Sequence, residues 1–246
     1  MTEGAIFLNS GPLFSGERLM TLEDMPEWES QHDAAASAFE RIKESFEKHS
    51  TLLAGNPSVD ETRFYMINPA LHALNFTHSV QELVSLGNEQ ATRVDYVCFS
   101  GANEFYEAEP ARGGVAFFRP ALALVKAVAW GAGFDGQPAT AAPAAPVETE
   151  GEEGEAEETG PEMLPAQELD LLLRTTGVDY GVLTNGCDWR LYHRGTSSLV
   201  TTFFQADMIA AMKTDFDDFK RFFLLFNRDA LVRDDTGTSF VDRMLQ

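Results

Sequence analysis

Cysteine is nearly missing from this chain: 246 residues contain only Cys98 and Cys187, far apart and with no CxxC pair. Neither a disulfide framework nor a zinc cluster is expected from two such residues. The usage suits a reducing, cytoplasmic compartment. Long apolar runs are missing too. No stretch of about 18 or more apolar residues occurs, so no membrane span is predicted. The N-terminal "MTEGAIFLNSGPLFSG" has neither the basic start nor the apolar block of a secretory signal. Basic residues are scarce, with 18 Lys and Arg against 39 Asp and Glu, a formal net charge of −21. A nucleic-acid binder usually carries a basic patch, so this balance argues against strong DNA binding. Lysine is scarcest of the charged types, and an acidic, lysine-poor surface suits a salty cytoplasm. Gly-x-Ser-x-Gly, Gly-rich phosphate loops and adenine-methyltransferase motifs are absent, and His32, His49, His72, His78 and His193 show no metal-ligand spacing.

What is present can build a core. Hydrophobic residues make up 44% of the chain and 19 are Phe. Trp28, Ala35, Phe39, Ile42, Phe46 and Leu53 recur at helical spacing, which predicts a helix from Glu27 to Leu53. "AGNPS" ends it. Ser58 and Glu61 then form a Ser-x-x-Glu capping box. It opens a second helix with Phe64, Ile67, Leu71 and Leu74 on one side and a kink at Pro69. "RVDYVCFSG" reads as a strand. Hairpin-like pieces are expected around "GANE" and "ARGG", and "ALALVKAVAW" as the next strand.

Residues 136–160 are Ala/Pro-rich and then Glu/Gly-rich, and Glu148 to Glu162 carries eight acids and no base. Such a composition cannot bury enough apolar area to repay ordering, which predicts a disordered acidic insertion. "PAQELDLLLRTTG" reads as a crossover helix, with Pro165 near its start and Gly177 at its C-terminal cap. "VDYGVLTNGCDWRLYHR" reads as two strands around an Asn185-Gly186 turn, with Trp189 in the core. "LVTTFFQ" is a further strand, and "DFDDFKRFFLLFN" a closing helix. This order predicts one α/β domain with a mixed sheet flanked by helices. Residues 1–135 form its first part, 136–160 the insertion and 161–246 its second part.

Two charged residues stand out in the apolar strands. Asp95 shares a strand face with Val97 and Phe99, and Lys126 shares one with Leu122, Leu124 and Val128. A carboxylate among such neighbours is costly unless it is paired or metal-bound. On neighbouring strands the two predict a buried ion pair.

Several segments together resemble one family. "DYGVLTNGCDWRLYHRGTSSLVTTFFQADM" is similar to the N-terminal nuclease-type, PD-(D/E)XK-like region of single-chain type IIG restriction–modification enzymes with a fused adenine methyltransferase. That region reads "WGILTNG-x-x-WRLY-x-R", then a strand and "DL". "NPSVDETRFYMINPALHALNF" resembles its early "ET…I-x-P-x-L-x-x-LG" helix, and "RVDYVCF" its "RPDYALF". "VKAVAWGAGFD" resembles its "VEAKxWxxxLD", "LPAQELDLLLRTTG" its "P-x-x-Q-x-x-x-Y-L-x-x-TG", and "DDFKRFFLLFNRDAL" its Phe-rich helix. "SFVDRML" resembles the segment that leads into the methyltransferase. The likeness covers nearly the whole chain outside the acidic insertion.

The resemblance implies a restriction-endonuclease-like fold in which an Asp on one strand and a Glu-x-Lys on the next hold Mg²⁺ and activate water. Anchored on Trp130, the family's Glu falls on Lys126 and its catalytic Lys on Val128, and the matching Asp is Asp95. An ammonium thus stands where a Mg²⁺ ligand should be, and Val128 cannot assist. Glu61 and Gln167 match two further site positions, the first also a helix-cap residue and the second also a plain surface residue. Glu104, Glu107 and Glu109 form a local acidic cluster.

The expected function is a degenerate, cleavage-incompetent module of a DNA restriction–modification or phage-defence system, a pseudoenzyme. It would need no cofactor, and its partners would be DNA and an adenine methyltransferase subunit. One alternative is an active Mg²⁺-dependent endonuclease in which Lys126 is the catalytic lysine and Asp95, with Glu61 or Glu107, holds the metal. A second is a non-catalytic protein-interaction module.

Overall fold

The computed structural model describes residues 5–87, 90–135 and 163–245. The predicted acidic insertion at 136–160 lies outside them. Strands β1 (Phe7–Ser10), β2 (Thr77–Gly87), β3 (Gln90–Phe99), β4 (Ala121–Ala127), β5 (Tyr180–Thr184), β6 (Asp188–His193) and β7 (Phe203–Asp207) form one sheet. Its spatial order is β1-β7-β6-β5-β4-β3-β2. β4 and β5 run parallel and every other pair is antiparallel, so the sheet is mixed. Strands from both sides of the insertion join in it.

Helices α1 (Gly16–Met20), α2 (Pro26–Ser30), α3 (His32–Leu53), α4 (Val59–Thr62) and α5 (Asn68–Ala73) precede β2. Helix α6 (Ala102–Ala108) links β3 to β4, and α7 (Pro165–Thr176) precedes β5. Helices α8 (Met208–Thr214), α9 (Phe216–Phe226), α10 (Arg228–Leu231) and α11 (Phe240–Met244) close the chain. Among the described residues no helix is long and apolar enough to cross a membrane.

Period-two alternation splits the core between the two sheet faces. Tyr96, Cys98, Val125, Val182, Trp189 and Phe204 face α3, α5 and α9, with Phe219, Phe222 and Phe226 packed among them. Val97, Phe99, Leu124, Leu183, Tyr192 and Phe203 face the opposite layer, with Leu169, Leu172 and Leu173 of α7. Trp189 is 1% exposed and meets Phe222 edge-on at 5.8 Å between ring centroids. Truncating such a residue to Ala typically costs about 3–5 kcal/mol. Gly186 takes φ +86°, and a Cβ there would lie 2.8 Å from the Trp130 ring, so the hairpin turn needs a glycine on both counts.

Helix α7 starts at Pro165 and stops at Gly177, which adopts φ +80° and donates its N–H to the Leu173 carbonyl. Several local expectations are corrected. The predicted helix from Glu27 breaks at Gln31 into α2 and α3. The "GANE" segment is the start of α6, and "ARGG" lies in turns that follow it, where hairpins were expected. Helix-favouring Ala and Glu after Gly101 outweigh the turn signal there. "LVTTFFQ" is extended only from Phe203, because Thr196 to Thr201 form turns. Strands β1 and β2 had no counterpart in the sequence reading.

The segment from Ser58 to Ala73 decides where the site forms. The Ser58/Glu61 capping box is present, with the Ser58 N–H donating to Glu61 Oε2 at 2.8 Å. Pro69 has no N–H for the Tyr65 carbonyl four residues back. The Ser45 hydroxyl donates to that carbonyl instead, at 3.0 Å. Just upstream, Arg63–Ile67 widen into a π turn, and Asn68 N–H bonds back to the Arg63 carbonyl. The extra residue in this turn rotates what precedes it. Ile67, Leu71 and Leu74 are buried as expected, but Phe64 is 68% exposed.

Candidate functional site

Asp95 lies near the middle of β3 and is 6% exposed. β3 and β4 pair from Phe99↔Ala121 up to Tyr96↔Val125. One residue further on, the Asp95 carboxylate continues the contact: its Oδ2 accepts the Ala127 N–H at 2.8 Å. Across β2 the backbone also adapts. Gln81 takes φ +56°, a left-handed conformation unusual for a side-chain-bearing residue. Its Nε2 donates to Asp95 Oδ1 at 2.8 Å, and its carbonyl accepts from Arg93 Nη1 at 3.1 Å.

Two cations flank this carboxylate. Arg63, on the π turn, brings Nη1 to 3.4 Å from Asp95 Oδ1 and Nη2 to 3.1 Å from Asp60. Lys126 Nζ lies 4.0 Å from Asp95 Oδ2, so the predicted pair exists, but it is not the lysine's closest contact. Glu168 Oε1 on α7 stands 2.7 Å from Nζ and also accepts the Thr92 hydroxyl at 3.1 Å. The Asp95–Lys126 pair is thus one link in a chain of alternating charge: Asp60, Arg63, Asp95, Lys126, Glu168. Helix α4 is anchored over this point by Thr62, whose Oγ1 donates to the Ser58 carbonyl and accepts the Trp130 N–H at 2.9 Å.

The other predicted residues fall elsewhere. Val128 packs against the α7-side core and donates its N–H to the Thr184 carbonyl at 2.9 Å. Glu61 is exposed, and the Ser58 N–H and hydroxyl hold its carboxyl below the usual range. That is the chemistry of a helix cap. Gln167 is exposed too, and its Oε1 accepts the Leu164 N–H at 3.1 Å, another cap. Glu104 and Glu107 lie on α6, and Glu109 pairs with Arg112 at 3.7 Å, whose closer partner is Glu82 at 3.0 Å. His72 and His78 have ring centroids 5.0 Å apart, and burial, then His72, presses the His78 pKa down to about 4.

The residues that the sequence reading missed are Arg63, Gln81 and Glu168. For Glu168 a signal existed. It lies four residues before Leu172, on the flank of the buried stripe Ala166, Leu169, Leu172, Leu173 and Thr176, whereas Gln167 points away. Arg63 and Gln81 depend on a π turn and a left-handed strand residue, and no residue pattern announced either.

Whether this set fits a divalent cation follows from its donors. Mg²⁺ needs hard oxygens converging on a vacant point in near-octahedral geometry. Here both Asp95 oxygens already accept N–H groups, and the Lys126 ammonium stands against Glu168. Among the described residues no group of three or more His, Cys, Asp or Glu could hold a metal ion. As arranged, the residues do not fit Mg²⁺. What they can do is neutralise each other and pin two helices to the sheet. Comparison with known proteins gives no match: no family model, no curated protein and no solved structure.

Proposed function

We propose that the chain is a nuclease-type module of a DNA restriction–modification or phage-defence system that no longer cleaves. The observation that carries this reading is the Lys126 ammonium, 2.7 Å from Glu168 and 4.0 Å from Asp95, in the place where the resembled family has a metal-binding Glu. A mixed sheet with helices on both faces, and Asp95 and Lys126 on adjacent strands, agree with a restriction-endonuclease-like ancestry. DNA and a separate adenine methyltransferase subunit are the proposed partners. The fixed ammonium takes over the neutralising role of the metal, so Asp95 stays buried in the sheet without it.

The test is to rebuild the family pattern. Lys126→Glu with Val128→Lys restores Asp…Glu-x-Lys and places a third carboxylate beside Asp95 and Glu168. Calorimetric titration should show Mg²⁺ binding gained by the double variant and absent from the parent. No gain would refute the strand alignment behind this proposal. A second reading, an active endonuclease, draws support from Glu168, which sets a second carboxylate beside Asp95 and a lysine. It requires Mg²⁺-dependent nicking by the parent protein that is lost in Lys126→Ala. Seeing such nicking would replace the first reading.

A further inference from the structure

A cavity of about 180 Å³ opens at the start of β4 and β5, the end of β4 opposite to Lys126. Pro120, Ala121, Leu122 and Leu231 form its apolar part, and Arg119, Asp179, Tyr180 and Arg233 its polar part. The acids here are already engaged. Asp179 Oδ1 meets Arg194 at 2.7 Å, and its Oδ2 meets Arg233 at 2.7 Å. Asp242 takes Arg233 Nε at 3.3 Å, the Ser239 N–H at 3.0 Å and the Tyr180 hydroxyl. The Tyr180 hydroxyl also meets Ser239 Oγ at 3.0 Å. Three arginines therefore stand against two aspartates, in a chain whose net charge is −21.

Arg119 is the arginine in excess. Among the described residues its guanidinium makes no ion pair and no hydrogen bond, and Nη1 of Arg233 is unused. A guanidinium presents a planar fork of donors that matches two oxygens of a phosphate or carboxylate. Both guanidiniums are solvent-exposed, so an anion can reach them, and a local excess of positive charge concentrates anions against the field of an otherwise acidic molecule. We propose that this cavity is an anion site for a phosphate group, with Arg119 taking two oxygens and Arg233 Nη1 a third. The phosphate can belong to a small molecule or to a nucleic-acid backbone. The site stands apart from the Asp95 cluster and does not depend on the function proposed above.

The probes are inorganic phosphate, a 5′-mononucleotide and a short DNA duplex, titrated calorimetrically into the full chain at one fixed ionic strength. Saturable binding is expected for at least one. Arg119→Ala should weaken it by about tenfold or more, the scale of a charge-assisted hydrogen-bond pair. Arg119→Lys should weaken it less, since it keeps the charge but not the fork. Because the Arg119 guanidinium makes no ion pair or hydrogen bond among the described residues, both variants should melt where the parent does. Tightest binding of phosphate or nucleotide would assign a small-molecule source, and tightest binding of duplex a nucleic-acid backbone. No saturable binding by any of the three, or equal affinity in Arg119→Ala, would overturn the site.

Discussion

Lys126 illustrates how one residue's environment differs from what its neighbours in sequence suggest. Its strand face implies a buried partner on β3, and Asp95 is there, but α7 brings a closer one. Removing the ammonium leaves two carboxylates facing each other, with Glu168 still partly screened by solvent. We expect Lys126→Met to cost about 2–3 kcal/mol, below the range for a fully buried pair. Lys126→Met with Glu168→Gln should recover about 1 kcal/mol or more, since the amide keeps the Thr92 contact without the charge. Urea denaturation of the parent, the singles and the double measures this coupling. Additive losses would mean that Lys126 and Glu168 do not interact in solution. Replacing Asp95 by an apolar residue is a different matter, because the Ala127 N–H would lose its acceptor.

At the scale of elements, legibility followed periodicity. The α7 helix and the Phe-rich α9 carried strong local signals and form where those signals placed them. The hairpin also forms, but its turn is Gly186-Cys187, one residue further on than the Asn185-Gly186 signal, with the Asn185 N–H donating to the Asp188 carbonyl. β1 and β2 were not legible: both are edge strands, only partly buried, so their apolar alternation is weak. The site was half legible. Asp95 and Lys126 follow from strand faces, whereas Arg63 is delivered by a π turn that arises next to Pro69. That origin can be tested. Ser45→Ala removes the donor that serves the Tyr65 carbonyl and should cost about 1 kcal/mol. Pro69→Ala supplies a backbone N–H to the same carbonyl. The double change should therefore be more stable than Ser45→Ala alone. If thermal melts show the double to be worse, the missing proline N–H is not what Ser45 answers.

For the whole molecule, one sheet is assembled from strands on both sides of residues 136–160, and β1 returns to pair with β7 at its far edge. Asp135, at the near border of that stretch, is fixed by a two-pronged contact with Arg190 at 2.9 and 3.0 Å, which lowers its carboxyl pKa. Arg190 in turn lies over the Phe134 and Phe203 rings at 4.7 and 4.1 Å. The sheet therefore has its own anchor at the border. Deleting 136–160, whose composition holds no core-forming pattern, should leave a single cooperative unfolding transition. A broadened or absent transition on calorimetry would show that this stretch packs.

The line of alternating charge through Asp95 has a mechanical meaning. Arg63 reaches it from the α3–α5 layer and Glu168 from the α7 layer, with Asp95 and Lys126 in the sheet between. Asp95 and Lys126 together thus work as a rivet through three layers. Opening of the π turn, or of the N-terminal end of α7, would remove a charge from this line, so hydrogen exchange at the Ala127 amide, which Asp95 holds, should respond to both.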